Sequence, residues 1–308
     1  MMRILSIIIV AILTFQNLTL CQSKRFTSLS EALETPDKVR WLDLNCSELD
    51  DFSLKSSILR NVQALYITDC NINDLPEGID KLSQLDLLNL QGNHLEDLPK
   101  SIENLQNITV LNLSRNHFTT LPDVLTRLPR LREIDLSYNP KIDLDSTLNK
   151  LSEIKLLDFL VLSSNNLYEI PPSIGQLKSL IELHLKDNPK LNFNKVVSLL
   201  AQLESLEILV LSNNKLEFFP IRINTLSALK GLVLDENPKL DLNSVLNSIK
   251  SMPRIEVLLL RNNGLTELPK NIQVFTKLKV LDLSGNGFSL LEKERILKAM
   301  PSTHVVFI

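Results

Sequence analysis

A few side chains in this chain could do chemistry by type and spacing. His94 and His117 lie one 23-residue interval apart and could pair on a divalent metal. No third ligand recurs at that interval, where Asn71 and Pro140 stand instead. Two exposed turn histidines are therefore the plainer reading, and no metal is expected. Asp43 and Asp135 are carboxylates, but too far apart along the chain's repeating pattern to share a proton. No Ser, His and Asp fall at a spacing that suits nucleophilic catalysis. A phosphate-cradling glycine loop, Gly-x-Ser-x-Gly, His-Glu-x-x-His and a calcium loop are all missing from the sequence. The expectation is a protein that is not an enzyme and needs no cofactor. A net charge of -3 without clustered Lys and Arg also argues against a nucleic-acid partner.

Cys21 is a different kind of candidate. Arg3 precedes an apolar run from Ile4 to Phe15, which Gln16 and Asn17 break. The run is shorter than the roughly 20 residues of a membrane span and matches a signal-peptide core, giving a signal over 1–21. The phrase Leu18-Thr19-Leu20-Cys21 resembles a lipobox, with Leu20 where a small residue is usual. Three readings stay open: lipidation of Cys21, cleavage near it, or an uncleaved anchor. Each puts the chain in an exported setting, whether periplasmic, outer-membrane-associated or extracellular.

What would position any of these residues is a repeat. The guide Leu-x-x-Leu-x-Leu-x-x-Asn finds eleven units, starting at Val39, Val62, Leu85, Ile108, Leu131, Leu157, Leu180, Leu206, Leu229, Ile255 and Leu278. The steps are 23 or 26 residues. Apolar residues at positions four and six, such as Leu88 and Leu90, alternate as in a short strand with one buried face. One unit cannot bury that face alone. Stacked about 5 Å apart, the units would form a parallel sheet over a continuous core.

Phrases such as "LDLLNLQGNHLEDLP" and "LEILVLSNNKLEFFP" resemble the leucine-rich repeat family, over Val39 to about Phe288. The short Leu-Pro units and the closing "AMPSTHVVFI" are similar to those of exported bacterial members. The resemblance implies an α/β class, right-handed solenoid or horseshoe with the sheet on its concave face. It also implies a structural ladder of asparagines at position nine: Asn93, Asn116, Asn139, Asn165, Asn188, Asn214, Asn237, Asn263 and Asn286. Ser47 and Cys70 hold that position in the first two units. Cys70 is then inward and Cys46, one place earlier, outward, so no disulfide between them is expected.

The return segments are of two kinds. Pro76, Pro99, Pro122, Pro171, Pro220 and Pro269 share one position in the 23-residue units and favour extended or 3₁₀ structure over an α-helix. The 26-residue units carry Asn-Pro-Lys, at 139–141, 188–190 and 237–239, then an apolar pattern at helical spacing. Asp145, Asn194 and Asn243 would cap helices near 146–153, 195–203 and 244–251. An entry cap over 22–38 would use Leu29, Ala32 and Leu33. The repeats fill 39–288. A closing helix with Leu291, Ile296, Leu297 and Met300, followed by a last strand, would end the chain over 289–308.

Positions three, five and seven of each strand should face the concave surface. Early units carry polar or aromatic residues at position five, including Asp43, Tyr66, Asn89, Asn112 and Asp135. Later units carry Val161, His184, Val210, Val233 and Leu259 there, with Phe159, Ile208 and Val257 at position three. Lys186, Asp235 and Arg261 in column seven would form a charged rim. A solvated sheet face is normally polar, so this apolar stretch suggests a site for a protein or other macromolecule. The function expected is a non-enzymatic protein-binding scaffold. Alternatives are a carbohydrate-binding or adhesive surface protein, against which the few exposed aromatics count, and a regulatory subunit that inhibits or positions an enzyme.

Overall fold

Each repeat yields a strand of only three residues, and the sequence limits it from both ends. Alternation starts at position three. At position eight the backbone turns left-handed, with φ of 53–59° at Asp69, Arg115, Tyr138, Ser164, Asp187, Asn213, Glu236 and Asn262. Gly92 and Gly285 occupy the same position with φ of 74° and 70°. At Gly92 a Cβ would stand 2.0 Å from Asp69 Oδ1, so a larger residue there would require the Asp69 carboxylate to move.

The computed structural model describes residues 24–308. The expected signal peptide and Cys21 lie outside the described residues. The chain divides into two compact units, Met1–Asp158 and Phe159–Ile308. In the first, six strands follow in chain order: β1 (Arg25–Phe26), β2 (Trp41–Asp43), β3 (Ala64–Tyr66), β4 (Leu87–Asn89), β5 (Val110–Asn112) and β6 (Glu133–Asp135). All are parallel, each paired with its sequence neighbour. Position three pairs with position three, as in Trp41 with Ala64 and Val110 with Glu133. Residues of one repeat position therefore form a column. Leu42, Leu65, Leu88, Leu111 and Ile134 at position four are fully buried. Each contributes roughly 1.5–3 kcal/mol by leaving water.

The second unit repeats the plan with β7 (Phe159–Val161), β8 (Glu182–His184), β9 (Ile208–Val210), β10 (Gly231–Val233), β11 (Val257–Leu259), β12 (Val280–Asp282) and β13 (His304–Val306). Again every pairing is parallel and between neighbours. The closing strand read in "STHVVFI" is thus present, in register with β12.

The Leu-Pro returns are 3₁₀ helices, among them Lys100–Asn104, Asp123–Arg127, Pro172–Gln176, Ile221–Thr225 and Ile272–Lys277. Among the described residues the α-helices are α1 (Leu29–Glu34), α2 (Leu49–Lys55), α3 (Leu144–Leu151), α4 (Phe193–Leu200), α5 (Leu242–Lys250) and α6 (Leu290–Ala299). Helices α3 to α5 follow Asn-Pro-Lys but start two residues before the expected places. The caps are Asp143, Asn192 and Asp241, which accept from the backbone N–H of Ser146, Lys195 and Ser244, respectively. An Asp or Asn two residues later, Asp145, Asn194 or Asn243, offers the same chemistry, so composition alone left two registers. The Asn-Pro turn decides between them. Leu240 N–H donates to Asn237 C=O and Asp241 N–H to Glu217 C=O, fixing Asp241 as the last non-helical residue. Leu148, Leu151, Val197, Leu200, Leu246 and Ile249 are buried beneath these helices, as their spacing required.

Two further expectations need correction. Cys46 and Cys70 form a disulfide, with Cα atoms 5.2 Å apart. Period-two alternation does not reach them, because the first unit turns into a 3₁₀ helix at Cys46–Glu48 and the second turns left-handed at Asp69. The two side chains leave opposite sides of no common strand and meet between the loops. The cap residues are also less buried than expected. In α6, Ile296 and Met300 are buried, whereas Leu291 is 78% exposed and Leu297 is exposed too. In α1, Leu29 and Ala32 are buried and Leu33 is half-buried.

Candidate binding face

The ladder asparagines come first, because they hold the strands whose side chains make the face. Asn188 Nδ2 donates to the carbonyls of Leu162, Leu185 and Lys186 at 3.0–3.2 Å. Its Oδ1 accepts from the N–H groups of Asn165 and Leu167. Asn237 makes the same set one pair of repeats later, with Leu211, Leu234 and Asp235 carbonyls and the Asn214 and Leu216 N–H groups. Asn93, Asn116 and Asn139 do so in the first unit. Asn214 and Asn263 donate to Leu185 and Leu234, and Asn286 to Leu260. The set from Asn93 to Asn263 is buried, and Asn286, in the last full unit, is half-buried.

On the sheet face of the second unit, Phe159, Val161, Ile208, Val210, Val233, Val257 and Leu259 lie together in columns three and five. They are only 2–8% exposed. The expectation of an apolar area open to water is corrected here. Strands under 5 Å apart make each side chain cover the flanks of the next, leaving the tips. The strip is close-packed. Gly231 interrupts column three between Ile208 and Val257.

Two polar pairs sit in the strip. His184 Nε2 lies 2.6 Å from Glu182 Oε1, and its ring is 4.9 Å from that of Phe159. The Asp235 carboxylate takes Arg261 Nε at 2.8 Å, Nη2 at 2.6 Å and the Arg261 backbone N–H at 2.7 Å. Burial pushes the Asp235 carboxyl above its ordinary range, while the Arg261 bonds pull against this and nearby Asp282 adds to the rise. Lys186 reaches Glu236 at 3.3 Å. The rim charges are therefore paired within the protein and do not stand free.

The first unit presents a different face. Trp41 and Tyr66 stack with centroids 5.4 Å apart, and Arg25 lies over both rings and pairs with Asp43. Burial raises the Tyr66 hydroxyl's pKa, with Arg25 opposing. Asn89, Asn112 and Asp135 turn one side-chain oxygen back to the N–H two residues on. Of this aromatic step the sequence reading placed Tyr66 in column five but did not single out Trp41; β1, which brings Arg25 to it, carries no repeat signal. Tyr168 and Phe218, exposed on loops, were not singled out by the sequence reading either. Lys190 of an Asn-Pro-Lys phrase bonds the Tyr168 hydroxyl at 2.7 Å, and Lys239 of another pairs with Glu217.

His94 and His117 stack with ring centroids 5.0 Å apart. Among the described residues, no group of three or more His, Cys, Asp or Glu is placed to hold a metal ion. No helix among them is long and apolar enough to cross a membrane.

In-register parallel strands, asparagine ladders and 3₁₀ or α-helical returns define a repeat protein of stacked strand-and-return units. Two family models match the sequence, one for a leucine-rich repeat region over residues 19–159 and one for a leucine-rich repeat over 277–297. The chain is a leucine-rich repeat protein. A leucine-rich repeat protein of Leptospira interrogans is 25% identical, with 92% of this chain and all of that chain covered and a TM-score of 0.38. An internalin of Listeria monocytogenes is 18% identical, with 85% and 87% covered and a TM-score of 0.46. No curated protein matches the chain.

Proposed function

We propose that the protein is an exported, non-enzymatic scaffold that binds a protein partner across the sheet face of β7 to β12. Membership of a class that generally binds proteins supports this reading. The observation that carries it is the apolar strip itself. Val210, Val233 and Leu259 hold three successive places in column five, where the first unit has Asn89, Asn112 and Asp135. A close-packed strip of apolar tips offers a partner a dry surface, and the paired charges beside it offer hydrogen-bonding edges for register. Export is supported by the Cys46–Cys70 disulfide, since such bonds persist in oxidising compartments.

The test compares the wild-type chain with the Val210→Glu, Leu259→Glu double variant as baits in a native envelope extract, read by mass spectrometry. A partner retained by the wild type and lost from the variant, at unchanged circular dichroism, is the expected result. Equal recovery by both baits would remove the sheet face from the account.

A further inference from the structure

We propose that the sheet face of β2 to β6 is a carbohydrate-binding site, which takes a short neutral oligosaccharide along the row Tyr66, Asn89, Asn112 and Asp135. The surface lies in the first unit and does not depend on the apolar strip of the second. The four residues hold position five of successive strands and pair in register. At a strand spacing of about 4.8 Å the row is roughly 14 Å long, more than a single sugar ring needs.

The two asparagines carry the inference. Asn89 Oδ1 accepts from the Gln91 N–H at 3.0 Å, and Asn112 Oδ1 from the Ser114 N–H at 2.8 Å. These bonds fix which end of each amide is the oxygen and leave Nδ2 as its remaining group. Neither Nδ2 donates to any group among the described residues. Yet Asn89 is only 8% exposed and Asn112 only 3%. The ladder residues Asn93 and Asn116, four places further along each unit, give their Nδ2 to backbone carbonyls. Nearly buried amide donors are normally paired, so two neighbours that are not mark a place where acceptors come from outside the chain.

The surroundings say what those acceptors belong to. Aromatics are few in the sequence, yet Trp41 and Tyr66 stack beside the amides and pack on a buried apolar shelf of Ala64, Leu87 and Val110. Trp41 Nε1 is buried without a hydrogen bond, so Trp41 offers its ring and not its N–H. Arg25 stands over the two rings and is held by Asp43, on the β1 side of the step. At the other end Asp135 closes the row with a carboxylate, which can accept from several donors at once. An aromatic platform beside amide donors and a carboxylate suits a molecule with apolar C–H faces and hydroxyls that both give and take hydrogen bonds, as a sugar has. A nucleotide or an acidic glycan would bring its anions against Asp135. An extended peptide engages its backbone at a sheet edge and would meet this face with side chains. No aliphatic residue stands in column five of this unit to receive them.

Trp41 is the single tryptophan of the chain, so its fluorescence reports on this face alone. The test titrates the full chain with neutral oligosaccharides of glucose, N-acetylglucosamine, mannose and galactose, and with polygalacturonate as the acidic counterpart. Asn89→Asp and Asn112→Asp each keep the oxygen that holds the Gln91 or Ser114 N–H and lose the Nδ2 donor. The expected result is a saturable fluorescence change with at least one neutral series. Either substitution weakens it roughly tenfold, and the Val210→Glu, Leu259→Glu variant leaves it unchanged. Silence across the four neutral series would overturn the proposal. So would equal affinity of the wild type and both Asn→Asp variants, or a response to polygalacturonate alone. A protein retained from the envelope extract by the wild type and lost from Asn112→Asp would give the face to a protein partner, and would overturn it as well.

Discussion

Asn214 shows how a single amide holds two repeats. Its Nδ2 donates to Leu185 C=O at 3.0 Å and its Oδ1 accepts from Asn188 N–H at 2.6 Å. Asn214→Ala leaves the buried Asn188 N–H without its acceptor and Leu185 C=O with only the Asn188 amide, and should cost about 1–3 kcal/mol in urea unfolding. The role of such residues was readable because they recur at one repeat position. The Asp235–Arg261 pair was not readable in the same way. Both residues were assigned to an open rim, and only the 26-residue step between them places one beside the other. Arg261→Met would leave the Asp235 carboxylate buried without its counter-charge, at a cost of about 3–5 kcal/mol near neutral pH. The folded-state pKa of that carboxyl, already raised by burial, would then lie further above its unfolded value. Stability would be lost as pH rises through that window and regained as pH falls and the group takes a proton. Urea midpoints of the variant at neutral and mildly acidic pH measure the difference, and a pH-independent loss would count against a buried charge.

The elements follow from local signals of unequal strength. Proline at one repeat position kept the return segments out of the α conformation, and the observed 3₁₀ helices agree. Apolar spacing located α3 to α5. Their first residues were two places off because the capping side chain occurs twice, as in Asp241 and Asn243. Asp241→Ala should therefore cost about 1 kcal/mol, while Asn243→Ala should cost much less; thermal melts of the two variants separate them. The disulfide was misjudged for a related reason. A strand rule was carried past the point where the strand ends, into turns whose geometry the repeat pattern does not encode. Closing a loop across a sequence separation of 24, the bond should add roughly 2–4 kcal/mol, and paired Cys46→Ser, Cys70→Ser substitution should lower the urea midpoint accordingly.

At the scale of the whole molecule, the repeat period was the strongest signal in the sequence. It fixed strand order and register, because tandem units of near-constant length can only stack neighbour on neighbour. Exposure was the quantity it left open. A column of valines reads as an apolar surface, but its accessible area depends on how closely the columns pack, and here they cover one another. The binding reading thus rests on the packing and chemistry of the strip, and not on its area. Hydrogen–deuterium exchange of the chain, alone and with its captured partner, tests that most directly. The account predicts added protection over the strands between residues 159 and 282. Protection confined to helices α3 to α5, with these strands unchanged, would contradict it.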